Sequence, residues 1–270
     1  MGDTRGELVW TQPSPALRDY VTGYTGYRIA PTRPGTHQGV PSAHLTFLLC
    51  LDGTVELLRM PDPTRAPGSF AALVGGLSDA PAVIAQNEPQ TGLQLQLTWR
   101  GARALLGAPA GVLAGDVVDL AELLGRRIDP LLDRLATIPS WPERFALLDA
   151  ALTRLAEGRR RREPPPEVGY AWDRLAATGG RLRIERLARE VGWSRRHLAD
   201  RFRREIGLAP KAAARVIRFE RACDLLRHPR RPALAAVAAD CGYVDQAHLA
   251  REFRDLAGIT ATAWLAERPG

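Results

Sequence analysis

The stretch LAREVGWSRRHL (187–198) recurs, altered, as VAADCGYVDQAHL (237–249), and each copy is followed at equal distances by a phenylalanine and a glycine: Phe202 and Gly207, then Phe253 and Gly258. Any fold built from this chain must therefore hold one supersecondary unit twice. Gly192 and Gly242 lie fifty residues apart and Leu198 and Leu249 fifty-one, so the second unit carries one extra turn residue. Each repeated position has a physical reason. A short helix ends at the glycine, where a left-handed backbone carries no Cβ penalty and the chain can reverse. Ser194 and Asp245 suit the N-cap of a second helix, where a side-chain oxygen satisfies an amide left orphaned in the first turn. Leu198 and Phe202, like Leu249 and Phe253, fall four apart and predict the stripe that pins this second helix to the first.

The opposite faces present Arg195, Arg196, Arg203 and Arg204 in the first unit and Gln246, Arg251 and Arg254 in the second. Arginine and glutamine suit guanine and adenine edges in the major groove. Between the units, residues 210–227 predict one helix, with Ala212, Val216, Phe219, Cys223 and Leu226 at alternating spacings of four and three. At 1.5 Å per residue it spans roughly 27 Å, a spacer suited to set two recognition helices near one DNA turn, roughly 34 Å, apart.

Charge divides the chain in the same way. Residues 1–158 hold 13 basic and 16 acidic side chains, whereas 168–270 hold 20 and 12, so the net +7 belongs to the C-terminal third. Between them, residues 159–167 hold four arginines and three prolines, which oppose helix and predict an extended, solvated linker. The expected organisation is a β-rich sensor or dimerisation domain over 1–158, a linker over 159–167 and a DNA-binding domain over 168–270. In the first domain, residues 93–99 alternate apolar and polar as a strand with one buried face requires. Further strands are expected at 45–51, 55–60, 70–74 and 82–85. Helices are expected over 120–135 and 142–157, the latter with Phe145, Leu148, Leu152 and Leu155 on a face that packs on the barrel or on a second subunit.

With its two units, the region 170–267 resembles the DNA-binding domain of the AraC/XylS family of transcription regulators, most closely over 237–258. The resemblance implies an all-α domain of two helix-turn-helix units joined by a long helix. The N-terminal region, with its Ser14 to Tyr20 opening and its order of strands then helices, resembles the cupin-like sensor domains of that family. The fold class is then α+β. The family's base contacts come from the N-terminal half of each second helix, which maps them onto Arg195, Arg196, Ala199 and Asp200, then Gln246, Ala247 and Arg251. Ala199, Asp200 and Ala247 are poor base readers, which leaves specificity chiefly to Arg196, Gln246 and Arg251. Family members usually carry Thr-Pro after the last glycine, whereas this chain has Thr260 and Ala261. The full DNA-contacting set expected is Ser194, Arg195, Arg196, Arg203, Arg204, Asp245, Gln246, His248, Arg251 and Arg254. The partners expected are double-stranded DNA across two successive major-groove segments, a small-molecule effector and a second copy of the chain.

Other classes fit less well. The longest uncharged apolar runs are far short of the roughly 20 residues a membrane span needs, and the start lacks a basic region followed by an apolar stretch, which makes a cytoplasmic protein the expectation. Cys50, Cys223 and Cys241 form no CxxC pair and read as buried thiols rather than as a disulfide framework or zinc site. A metal-dependent cupin-like enzyme would have to draw its ligands from His37, His44 and Glu56, which lack a close His-x-His pair. No nucleophile elbow, HExxH, Walker loop or GxGxxG occurs, so neither catalysis nor a cofactor is expected. A sequence-indifferent architectural DNA binder would need only basic helices, without ordered duplicate recognition helices.

Overall fold

The computed structural model describes residues 4–31, 34–158, 163–230 and 232–266. The arginine run 159–162 lies outside them. The N-terminal region consists of two antiparallel sheets. One has six strands in the order β1 (Thr4–Thr11), β2 (Val21–Pro31), β9 (Gln90–Leu97), β4 (Leu45–Asp52), β7 (Ala72–Gly75) and β10 (Val117–Asp119). The other has four, in the order β3 (Gly35–Gly39), β8 (Ala82–Gln86), β5 (Val55–Arg59) and β6 (Gly68–Phe70). Cys50, Val55, Leu57, Met60 and Leu73 fill a small core of their own. On β9, Leu93, Leu95 and Leu97 are fully buried while Gln94 and Gln96 point to the opposite face, as the alternation predicts. The strand expected over 70–74 is interrupted at Ala71, where β6 ends and β7 passes into the other sheet.

Helices cover the leucine face of the large sheet. Thr98 caps α1 (Trp99–Gly101), its Oγ1 accepting from the Gly101 amide at 3.0 Å, and the helix continues as a π-turn over Ala102–Leu106. A 3-10 turn follows at Ala110–Leu113. The single helix expected over 120–135 is instead broken into α2 (Leu120–Leu124), a 3-10 turn (Gly125–Ile128) and α3 (Asp129–Thr137). The reason is local. Gly125 adopts φ +68°, which ends α2, and Pro130 sits in the first turn of α3, where its missing N–H costs nothing.

In α4 (Trp141–Glu157), Trp141, Phe145, Leu148 and Leu152 are buried, with Trp141 lying on Gly26 of β2 so closely that a side chain at Gly26 would strike the indole. This apolar face is therefore spent on the chain's own sheet.

The C-terminal region is all helical: α5 (Pro166–Ala177), α6 (Ile184–Glu190), α7 (Arg195–Ile206), α8 (Pro210–Arg227), α9 (Leu234–Cys241), α10 (Gln246–Ala257) and α11 (Ala261–Ala266). Ala261, where the family usually has proline, is the first residue of α11, and the Thr260 Oγ1 caps the helix by accepting from the Ala263 amide at 3.2 Å. One continuous core runs from the leucines of β9 through Trp99 and Leu105 to Trp172, Phe202, Phe219 and Phe253. All three cysteines are buried, and among the described residues none forms a disulfide. Among the described residues, no helix is long and apolar enough to cross a membrane.

Candidate nucleic-acid interface

The two repeated units fold alike. Gly192 and Gly242 both take left-handed backbone, at φ +71° and +78°. Ser194 Oγ accepts from the His197 amide at 3.2 Å, and Asp245 Oδ1 from the His248 amide at 2.6 Å, so both N-caps form as the sequence predicts. The aromatic after each glycine meets the following histidine edge-on, Trp193 with His197 and Tyr243 with His248, at ring separations of 4.7 and 5.3 Å. His248 Nδ1 also accepts from the Val244 amide at 3.3 Å, which directs its Nε2 away from the turn. Leu198, Phe202, Leu249 and Phe253 are all essentially buried, and Phe202 stacks on Trp172 of α5. Burying side chains of this size contributes roughly 1.5–3 kcal/mol each. The extra residue in the second turn is Val244, which is 87% exposed.

Position by position from their first residues, α7 and α10 offer different side chains. Arg195 and Gln246 open α7 and α10, so Arg196 matches Ala247, Asp200 matches Arg251, Arg203 matches Arg254 and Arg204 matches Asp255. Arg195 is engaged: its NH1 lies 2.9 Å from Glu185 Oε1 on α6, and Glu185 is held below the usual carboxylate range by its own backbone amide and by this arginine. Arg196, Gln246 and Arg251 are exposed and, among the described residues, have no side-chain partner. Arg203 lies a loose 3.9 Å from Asp200, and Arg254 Nε donates to the Ala250 carbonyl at 3.3 Å. The exposed face of α7 thus carries Arg196, Arg203 and Arg204, while that of α10 carries Arg251 and Arg254 with Gln246 at its tip.

The frame behind these helices was not legible as a site. Glu252 of α10 is 6% exposed and sits between Arg215 Nε at 3.2 Å and Arg218 NH2 at 3.3 Å, both on α8; Arg218 NH1 donates to the Gly180 carbonyl at 3.1 Å. A signal for this network existed. Glu252 falls on the stripe Leu249, Phe253, Leu256, where a charge needs partners. In the first unit, Glu190 of α6 receives Arg174 Nε at 3.1 Å and Arg186 Nε at 2.9 Å, which pull its carboxyl down to about 2.

The N-terminal region grips α7. Arg103, in the π-turn, binds Glu205, and Gly111 lies against the last turn of α7 so closely that a Cβ there would run into the Arg204 carbonyl. Arg100 pairs with Asp173 of α5 at 3.0 Å, and His44 Nδ1 lies 3.1 Å from Glu220 of α8. Of the metal set expected for a cupin-like enzyme, His44 is therefore turned to the helical region. Among the described residues, no three His, Cys, Asp or Glu side chains are grouped to hold a metal ion.

A helix-turn-helix domain family matches residues 187–267, which span both units. These residues are an AraC-type helix-turn-helix domain. The architecture around the AraC-type domain is similar to ToxT from Vibrio cholerae, with a TM-score of 0.56 at 8% identity over 99% of this chain and 100% of the other. The apo form of a ToxT variant from strain SCE256 gives 0.55 at 9% identity, covering 98% and 97%. Wild-type ToxT from that strain, bound to an unsaturated fatty acid, gives 0.53 at 8%, covering 97% and 94%. At such identities the likeness is one of fold. It extends through both the β-rich region and the AraC-type domain. No curated protein matches the sequence.

Proposed function

We propose that the chain is a sequence-specific transcription regulator that binds double-stranded DNA through α7 and α10 and responds to a small molecule through residues 1–158. The observation that carries this reading is the pair of equally capped helices whose exposed faces bear Arg196, Gln246 and Arg251, without side-chain partners among the described residues, in a region of net positive charge. Base-reading side chains must be free to reach base edges, whereas those already paired on the protein must first break a contact. Ser194, Asp245 and His248 place backbone amides and an imidazole near the backbone phosphates. Arg195, Arg203, Arg204 and Arg254 supply phosphate contacts in this reading. The domains are a sensor and dimerisation region over 1–158, a linker over 159–167 and the DNA-binding domain over 168–270. Since the inner face of α4 is covered by β2, a homodimer would use outward residues of α2 to α4, and sedimentation of the full chain tests this.

Response to a small molecule is supported by the shared fold with ToxT, which has been seen with an unsaturated fatty acid bound. No catalytic step is assigned. An architectural binder would be indifferent to sequence, and competition separates the two readings. Against a duplex selected from a random pool, excess unrelated DNA should compete about 10³-fold or more less well. Equal competition would support the architectural reading instead.

A further inference from the structure

A groove of about 560 Å³, a volume typical of small-molecule sites, lies between the end of β1 and the helix α4. One wall is Trp10, whose indole is 61% exposed although tryptophan is among the costliest side chains to leave in water. Phe145 and Pro142 from α4 supply further apolar surface. Asp149 also lines the groove. Its Oδ1 is fixed by two donors, the Tyr24 hydroxyl at 2.8 Å and the Ser14 amide at 2.9 Å, while Oδ2 has no partner among the described residues. Tyr24 stays neutral, its hydroxyl pushed up by burial and by the Asp149 carboxylate. Among the described residues, Asp149 is the one carboxylate side chain lining the groove, and no arginine or lysine lines it. Arg28 on β2 and Arg144 on α4 are engaged elsewhere, Arg28 with Glu7 at 3.3 Å and Arg144 Nε with the Leu135 carbonyl at 3.1 Å.

A fixed carboxylate with a free oxygen, set beside an exposed indole face, is complementary to an organic cation. The oxygen accepts a charge-assisted hydrogen bond from an ammonium group, and the indole face attracts the same charge. An anionic ligand meets the like charge of the Asp149 carboxylate with no arginine or lysine in the lining to offset it. We propose that this groove binds a small organic ammonium ion and that such ions are the effector class of the regulator, which rests on the reading that residues 1–158 respond to a small molecule. The groove is well placed for that role, because α4 also packs against the π-turn that carries Arg103.

The test is calorimetric titration of the full chain with 2-phenylethylammonium, 2-phenylethanol and phenylacetate. The ammonium ion should bind, the alcohol about tenfold or more weaker, and the carboxylate not at all. Asp149→Asn keeps the shape of the side chain and should weaken the ammonium ion about tenfold or more. Because Asp149 also holds Tyr24 and Ser14, Trp10→Ala gives a second variant at an exposed position, and it should weaken the ammonium ion severalfold without lowering the melting temperature. Equal binding of alcohol and ammonium, no binding of the ammonium ion at millimolar concentration, or unchanged binding by Trp10→Ala would overturn the assignment. The readout involves no DNA, so its failure leaves the DNA-binding reading standing.

Discussion

Arg103 holds Glu205 side-on, with Nε at 3.0 Å and NH2 at 2.6 Å from the same carboxylate oxygen, and both side chains are largely withdrawn from water. The two residues are 102 positions apart and join the π-turn of the N-terminal region to the last turn of α7. Removing one partner leaves the other charge poorly solvated, which costs more than the pair contributes. Arg103→Ala should lower stability by about 1–3 kcal/mol in urea unfolding of the full chain. Combined with Glu205→Gln, the loss should be less than the sum of the two single losses. Strict additivity would show that the contact carries no energy.

Helix α10 depends on a more deeply buried charge. Glu252→Ala would take from Arg215 and Arg218 the buried carboxylate they share, leaving a loose contact to Asp255 at 3.8 Å and the Gly180 carbonyl, and should cost about 3–5 kcal/mol. The measurement is the shift in denaturant midpoint, and a shift equivalent to less than about 1 kcal/mol would contradict the role given to Glu252.

Glu190 predicts a pH dependence whose sign follows from its depressed carboxyl. Arg174 and Arg186 stabilise the ionised form in the folded chain, so this contribution is complete above the ordinary value of 4.5 and fades as pH falls toward about 2. A carbon-detected titration of the Glu190 side chain should show a midpoint near that lower value. An ordinary midpoint would mean that the two arginines do not hold it in solution.

The caps make a smaller prediction. Ser194→Ala and Asp245→Ala should each cost about 1 kcal/mol, by loss of the amide contacts to His197 and His248. Ser194→Gly and Asp245→Gly should cost less than the alanine variants, since glycine is the better cap of the two. Equal losses would mean that the caps do not set the ends of α7 and α10.

What was legible in the sequence was what the chain specifies locally. The capping residues, the turn glycines, the Leu198/Phe202 and Leu249/Phe253 stripes and the alternation of Leu93 to Leu97 each depend on neighbours within a few positions, and all appear in the fold. The break at Gly125 is also local, but the apolar spacing on either side of it mimics one helix until the left-handed backbone is seen. The partners of Arg103 and His44 left no trace, because an arginine or a histidine in a polar segment looks the same whether solvated or paired with a helix more than 100 residues away. Among the candidate contacts, the caps Ser194 and Asp245 already set Arg195 opposite Gln246, and only the fold shows that Arg195 is taken by Glu185.

Arg204 and the arginines around it should act through phosphates. If about five phosphates are neutralised, the slope of log affinity against log salt approaches roughly −4.5, and Arg204→Ala should flatten it by about one unit while weakening all sequences alike. A change of base preference in Arg204→Ala would place that side chain in the groove instead.

The most direct measurement is selection of binding sites from a randomised duplex pool by the full chain and by its Arg196→Ala and Gln246→Ala variants. Each substitution should cost about 1–3 kcal/mol on the preferred site. Each should also relax base preference within one half-site only, the two half-sites lying roughly 10 base pairs apart. If both variants kept the preferred base at every operator position, α7 and α10 would not be the elements that read the sequence through these side chains.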